Sequence, residues 1–207
     1  MKKVVLVSLF ITSCFTSYTQ TEETPVEKKV KFGFNIGANY SNLVVPSGLP
    51  LYANISEGLA LRLGIISEIN IAKFLSFSPK AELCFNKNNV TVMDGTGAIT
   101  SFQEMPVSLD IMAHFNFFKG NGKLSPYLFI GPNLKKPIEE KPLTPPAIPN
   151  TKTNLAIDFG IGFDRTFSHF NFAPELRYSY GVIDVSRQSL LPSLYHHNIS
   201  LVINFLG

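Results

Sequence analysis

Charged side chains recur at every second position in several segments of this chain, between large apolar residues. A single alanine separates Lys80 from Glu82, and a single leucine separates Glu175 from Arg177. Residues two apart on a strand share one face, so each pair places opposite charges together. Such charges can pair with one another, and an unpaired charge in a closed interior would cost several kcal/mol. The residues of this set are Arg62, Lys80, Glu82, Glu104, Asp110, Asp158, Glu175 and Arg177.

Histidines near the C-terminus are the next candidates for chemistry. His196 and His197 are adjacent, and neighbours on a strand point to opposite faces, so the two rings cannot readily share one metal ion. We predict that both lie at the rim of the fold. Ser193 beside either ring would provide the nucleophile and base of an outer-membrane lipid hydrolase, but no local motif accompanies them.

A further histidine, His114, shares a strand face with Asp110 and Glu104. Each residue advances a strand by about 3.3 Å, so these spacings are too wide for a compact catalytic triad. The segment favours a charge network over an active site. We therefore predict no catalytic residue, no cofactor and no metal site.

The elements that carry these side chains are strands, because apolar residues recur with a period of two. At the C-terminus, Ile199, Leu201, Ile203 and Phe205 alternate mostly with polar residues. The pattern predicts eight strands, at residues 31–40, 59–65, 75–86, 104–114, 124–132, 155–164, 171–180 and 197–205. Short links at 70–73, 119–122 and 165–168 alternate with long links at 41–56, 87–99, 133–153 and 181–196. This arrangement is typical of an all-β, eight-stranded antiparallel transmembrane β-barrel, an up-and-down meander with both ends in the periplasm.

The strand pattern alone does not say which face points inward, since a soluble barrel would have the reverse arrangement. Two features favour a membrane barrel: charges avoid the large apolar face, and Phe205 lies close to the C-terminus. The charged set then lies in a lumen just wide enough to be filled by side chains, forming a plug. Outer-membrane lipid is the expected surrounding. The lysines form no basic stripe, so nucleic acid is not an expected partner.

The N-terminus has the features of an export signal. Lys2 and Lys3 precede a short apolar run at residues 4–11, and we place cleavage near Thr19 and Gln20. The predicted organisation is a signal peptide at 1–20, a periplasmic lead-in at 21–30 and an outer-membrane barrel at 31–207. In the alternative, Cys14 is the lipidated residue of a lipoprotein signal.

The positions of the prolines lead to two further predictions, one about the strands and one about a long link. Pro79, Pro106, Pro126 and Pro174 fall inside predicted strands, where they should cause bulges or missing ladder bonds. The proline-rich segment from 135 to 149 is either a solvated loop or a preformed extended docking segment.

In order and spacing, several motifs resemble those of the PorT-like family of outer-membrane β-barrels from Bacteroidota. They are KFGFNIG at 31–37, GLALRLG at 58–64, FQEMPV at 102–107, PYLFIGP at 126–132, DFGIGFD at 158–164 and ELRYSYG at 175–181. The resemblance implies an eight-stranded barrel without known catalytic residues. The family's namesake is needed for type IX protein secretion.

The expected function is therefore that of a non-enzymatic assembly or scaffold component of secretion machinery of this type. Its candidate partners are other outer-membrane or periplasmic secretion proteins. Two alternatives remain open from the sequence: a small lipid-modifying enzyme, and a general structural or adhesion barrel.

Overall fold

The computed structural model describes residues 30–48, 50–93, 95–119, 124–138, 152–186 and 193–207. These residues form ten strands. The strands are β1 (Val30–Val44), β2 (Ala53–Ala72), β3 (Leu75–Phe85), β4 (Lys87–Met93), β5 (Ile99–Phe102), β6 (Val107–Phe117), β7 (Leu124–Pro137), β8 (Asn154–Thr166), β9 (Asn171–Gly181) and β10 (Tyr195–Leu206). The predicted signal peptide, the Cys14 alternative and the lead-in as far as residue 29 lie outside the described residues. Within the described part, no helix is long and apolar enough to cross a membrane.

Eight of the strands close into a barrel. Its order is β1-β10-β9-β8-β7-β6-β3-β2, and β1 also pairs with β2, so the sheet has no open edge around the barrel. All the pairings are antiparallel, and Phe34 pairs with Phe205 where the first and last strands meet. The predicted fold class, an eight-stranded antiparallel meander, is confirmed.

The other two strands form a projection beyond one end of the barrel. The pairing of β4 with β5 continues the register of the pairing of β3 with β6 without a shift. Phe85 pairs with Val107 in the first ladder, and Val90 pairs with Phe102 in the second. The four strands therefore make one long hairpin, interrupted at Asn86 and at residues 103–106. The predicted long links at 87–99 and 41–56 were wrong in extent, because strands continue past the lipid-facing residues into both. Seven residues of β4 at about 3.3 Å each extend the hairpin by about 20 Å.

The two faces of the barrel have opposite chemistry. Large apolar side chains on the outside are exposed, including Leu61 at 61% and Leu201 at 57%, whereas Arg62 and Ser200 beside them on the chain are buried at 0% and 1%. A soluble barrel would bury the apolar set. The exterior therefore matches lipid and the interior holds the polar groups, so the chain is a transmembrane β-barrel of the outer-membrane type.

Prolines interrupt the ladders as expected at two positions. The ladder between β2 and β3 skips two pairs, one of which is Ser67 with Pro79, and the ladder between β8 and β9 skips two pairs, one of which is Phe163 with Pro174. A proline lacks the N–H that the ladder needs. Pro126 differs, because its ladder with β8 is continuous, and Pro106 lies in the break before β6.

Candidate functional site

The centre of the lumen is occupied by a cluster of six charged residues. Glu82 accepts hydrogen bonds from Arg62 Nε at 2.6 Å and from Arg177 Nη1 at 3.0 Å, so one carboxylate bridges two guanidinium groups. Arg62 also donates to Asp110 at 3.1 Å and to Ser200 at 2.7 Å. The side-chain amide of Asn35 on β1 donates to the same Glu82 carboxylate at 2.9 Å.

The second half of the cluster is built around Glu175. Lys80 donates to both of its carboxylate oxygens at 2.7 Å, and Arg177 donates at 3.0 Å. The hydroxyl of Tyr127 adds a bond at 2.9 Å. The cluster holds three cations and three carboxylates, all at most 3% exposed. Buried charges need this kind of pairing, since an uncompensated one is costly.

A separate group lies on the β6–β8 wall. His114 Nε2 lies 3.1 Å from Asp158, whose carboxylate also accepts the Asn133 amide at 3.0 Å and 3.2 Å. The His114 ring stacks on Phe129 with centroids 5.1 Å apart. Asp110 bonds Arg62 and Ser108, so His114 and Asp110 serve different groups and form no catalytic pair.

One end of the barrel has the short strand connections, which lie on the periplasmic side in bacterial outer-membrane barrels, and we name the two ends periplasmic and external on that rule. At the periplasmic end, a buried lysine closes the lumen. Lys119 contacts Glu68 and lies 2.9 Å from Asp164. Neither Lys119 nor Glu68 was predicted to lie in the lumen. Lys119 falls in the predicted turn at 119–122, and Glu68 lies beyond the predicted second strand at 59–65. Glu68 follows the same two-residue spacing as Arg62, a signal that was available.

Above the charges lies a layer of amides and hydroxyls. Asn86 Oδ1 accepts bonds from Asn39 at 2.8 Å, from Ser41 at 3.0 Å and from Asn198 at 3.1 Å. The ammonium group of Lys135 donates to Asn198. The assignment of Lys135 to the proline-rich loop was wrong: it is on β7, 1% exposed, and only residues 139–149 of that predicted segment lie outside the described chain.

An apolar cap covers the amide layer at the external end. Its buried members are Leu43, Val90, Val92, Met105, Val185 and Leu194, with Val45, Ala53, Ile55 and Phe102 packed against them. Met105 reaches the cap with a φ of 53°, a left-handed conformation that is uncommon for residues other than glycine. Asn86 holds this turn, because its side-chain amide donates to the Met105 carbonyl at 2.8 Å.

Asp184 holds the cap from the loop side. Its carboxylate accepts the N–H groups of Ser186 at 2.8 Å and Leu194 at 2.9 Å. Burial acts to raise the pKa of Asp184, but these backbone bonds outweigh it and lower the pKa below its usual value. The carboxylate therefore joins Ser186 to Leu194 across the base of the loop, beside the backbone bond from the Val185 N–H to the Leu194 carbonyl at 2.8 Å.

The remaining predicted residues lie apart from the central cluster or differ from expectation. Glu104 is buried, but it precedes β6, and Asn88 bonds its backbone N–H and C=O at 2.8 Å and 2.9 Å. His196 was expected at the rim, yet it is fully buried on the lumen face. His197 faces outward and packs on Tyr180 with centroids 4.8 Å apart.

No candidate active site emerges from these positions. Among the described residues, Ser193 makes no hydrogen bond to either histidine, and neither ring nitrogen of His196 has a partner. His197 Nδ1 instead accepts the N–H of Gly181 at 3.2 Å. No group of three or more His, Cys, Asp or Glu side chains in the described part is arranged to hold a metal ion.

Comparisons with known proteins bear on the fold. No family model matches the chain, and no curated protein matches its sequence. Among solved structures, the outer membrane protein OprG from Pseudomonas aeruginosa is similar with a TM-score of 0.50 and 14% identity, over 86% of this chain and 92% of that one. Neisserial surface protein A gives 0.47 and 12%, over 84% and 95%. The attachment invasion locus protein Ail of Yersinia pestis, solved with the heparin analogue sucrose octasulfate, gives 0.45 and 14%, over 86% and 99%. At these identities the likeness concerns the fold alone.

Proposed function

We propose that this protein is a non-enzymatic outer-membrane component that acts by binding other proteins at its external end. The observation that carries the proposal is the filled lumen: the Lys119 group, the six-charge cluster, the amide layer and the apolar cap follow one another along it. A narrow barrel filled in this way offers no path for a protein cargo. The projecting β4–β5 hairpin and the external loops are then the surfaces that can meet partners.

The proposed context is protein secretion of the type IX kind. Its support is the resemblance of the six sequence motifs to the PorT-like family of Bacteroidota. In this role the barrel assembles or stabilises a larger translocon. Its partners at the external end are outer-membrane secretion proteins, and any periplasmic secretion protein is expected to bind at the opposite end. Lipid-modifying activity gains no support from the positions of Ser193, His196 and His197.

Gene deletion in the native bacterium tests the secretion role. Export of type IX cargo into the medium should stop, and a plasmid copy should restore it. The His196→Ala and His197→Ala copies should restore it equally, because neither ring takes part in a catalytic arrangement. Normal export after deletion would remove the secretion role, and a cell-attachment defect in that strain would indicate an adhesion barrel instead. Loss of complementation by a folded histidine variant would revive the enzyme.

A shortened hairpin tests where partners bind. Residues 91–101 can be replaced by Asn-Gly, since Val90 and Phe102 are paired and this dipeptide forms two-residue hairpin turns. The change removes Val92 from the apolar cap but leaves all eight barrel strands, so the barrel should still fold, while co-purification with secretion proteins should fall. The parallel variant replaces residues 139–149 with a Gly/Ser linker of equal length, which separates a docking role of the proline-rich loop from that of the hairpin.

A further inference from the structure

The barrel wall is split at its external end between β1 and β2. Their pairing runs from Val30 with Ile69 to Tyr40 with Leu59 and stops there. Both strands nevertheless continue: β1 pairs with β10 as far as Val44, and β2 pairs with β4 from Ala53 to Gly58. Two strand edges that face each other are thus left out of the ladder.

A bulge in β2 accounts for the split. Gly58 pairs with Lys87 and Arg62 pairs with Cys84, so four steps along β2 match three steps along the opposite strand. The extra residue bends the outer part of β2 and turns Ile55 toward the same face as Val90. β1 has no matching bend, because β10 holds it in regular register.

The split contains a groove of about 460 Å³, within the range of about 300–1,000 Å³ typical of ligand pockets. It is lined by Asn42, Leu43, Val44, Val45, Ile55 and Glu57. Glu57 is the one charged side chain of this lining. It accepts the Leu43 N–H at 3.0 Å and the Tyr40 hydroxyl at 2.9 Å. The Leu43 N–H therefore donates to the Glu57 carboxylate, where in a continuous sheet it would donate to a backbone carbonyl of the neighbouring strand.

The groove lies beyond the lipid-facing belt. On β3 the outward apolar series ends at Phe85, and on β4 it is followed by Lys87, Asn89 and Thr91. Asn89 and Thr91 form an exposed hydrogen-bonded group with Ser101, which is compatible with water and not with acyl chains. Since Lys87 pairs with Gly58, Glu57 and Ile55 lie at or above this polar level.

We propose that this groove binds an extended peptide segment of a partner protein, which adds as a strand between β1 and β2 and places a lysine or arginine beside Glu57. Unpaired strand edges recognise main chain through hydrogen bonds, as in β-strand addition. The carboxylate selects a basic residue and disfavours the phosphate of a lipid headgroup. The Lys87 side chain lies over Gly58, next to Glu57, but the two form no ion pair within the described part of the chain, so the Glu57 carboxylate keeps its charge for a partner. The free edge of β5 is a poorer site, since that strand has four residues.

The inference rests on the proposed partner-binding function and specifies its site. Its test uses the full-length mature barrel in lipid nanodiscs and fluorescein-labelled nine-residue peptides of alternating threonine and valine. One peptide has lysine at its centre, a second has glutamate, and a third has lysine with N-methylated neighbours. Anisotropy should show about fivefold tighter binding of the lysine peptide than of the glutamate peptide, as for a partly exposed ion pair. N-methylation should weaken binding about tenfold, because it removes main-chain donors.

Variants at Glu57 keep the inference falsifiable. Glu57→Gln retains an acceptor for Leu43 and should abolish the preference for lysine over glutamate, whereas Glu57→Lys should reverse it. Should the reversed-charge barrel fail to fold, the glutamine variant decides. Amide exchange should slow at residues 41–45 and 53–58 when the lysine peptide is added, and not along β5.

Several results would overturn the inference. The first two are equal binding of the three peptides and slowed amide exchange in β5 in place of the groove. The other two are a lipid that co-purifies with the barrel and is released by Glu57→Lys, and self-association of the barrel that Glu57→Lys abolishes. The peptide assay does not depend on secretion. If the peptide binds as expected but export stays normal after gene deletion, the groove is supported and the secretion role is removed. If export stops after gene deletion but the peptide does not bind as expected, the secretion role is supported and the groove is removed.

Discussion

Removal of the Glu82 charge should be among the most damaging single changes in the lumen. Its carboxylate receives Arg62, Arg177 and Asn35, and it joins the two halves of the six-charge cluster. Glu82→Gln leaves three cations against two carboxylates, in a lumen where these side chains are at most 3% exposed. Breaking a buried ion pair by removal of one partner costs about 3–5 kcal/mol. The folding equilibrium should therefore fall by about a hundredfold to several thousandfold.

A urea titration of the barrel folded in lipid vesicles measures this effect. The chain has no tryptophan, so the folded fraction is followed by the mobility difference between unheated and boiled samples on gels. Asp110→Asn is the matched control for the number of contacts. It leaves the same three cations against two carboxylates, but Asp110 touches one arginine, Arg62, which keeps its bond to Glu82. This change should cost about 1–3 kcal/mol.

A double-mutant cycle tests the charge balance directly. Arg177→Met in the Glu82→Gln background restores two cations against two carboxylates. The double variant should then lose less stability than the sum of the single changes, by about 0.5–3 kcal/mol. A Glu82→Gln barrel within about 1 kcal/mol of wild type, or additive losses in the cycle, would refute the view that these ion pairs act as one buried network.

Three further predictions concern the exterior, the closed lumen and the cap. Ile111→Arg, near the middle of the lipid-facing belt, should cost about 2–4 kcal/mol in the same titration, whereas Met93→Arg on the projecting hairpin should cost less than about 1 kcal/mol. The purified barrel in planar bilayers should show no steady conductance, and a persistent channel would contradict a filled lumen. The lowered pKa of Asp184 means that its bonds stabilise the loop above the usual carboxyl value near 4 and are lost as the pH falls through the folded-state value. The protection factor of the Leu194 amide, which corrects its exchange rate for the intrinsic effect of pH, should therefore fall in acid, and Asp184→Ala should show the lower protection factor already at neutral pH.

The sequence by itself determined the strand type, the barrel class and the two faces. A period of two assigns each residue to one side of a strand without knowledge of its neighbours, so the placement of Lys80, Glu82, Glu175 and Arg177 on the face opposite the apolar residues followed from local spacing. The count of eight barrel strands followed from the eight segments with alternating apolar residues, and the alternation of short and long links supported the up-and-down topology. The secretion role stays a prediction, since it depends on the family resemblance.

Only the tertiary structure decided which charges meet. Lys80 and Glu175 are 95 residues apart and Arg62 and Ser200 are 138 apart, and closure of the sheet brings them within hydrogen-bond distance. The ends of the strands could not be predicted from the sequence either, because residues outside the membrane no longer alternate between apolar and polar. For this reason β4, β5 and the inward position of Lys135 were not predicted. The bulge in β2 and the split beside it depend on register between strands. Register is a property of the pair, which the spacing within one strand does not contain.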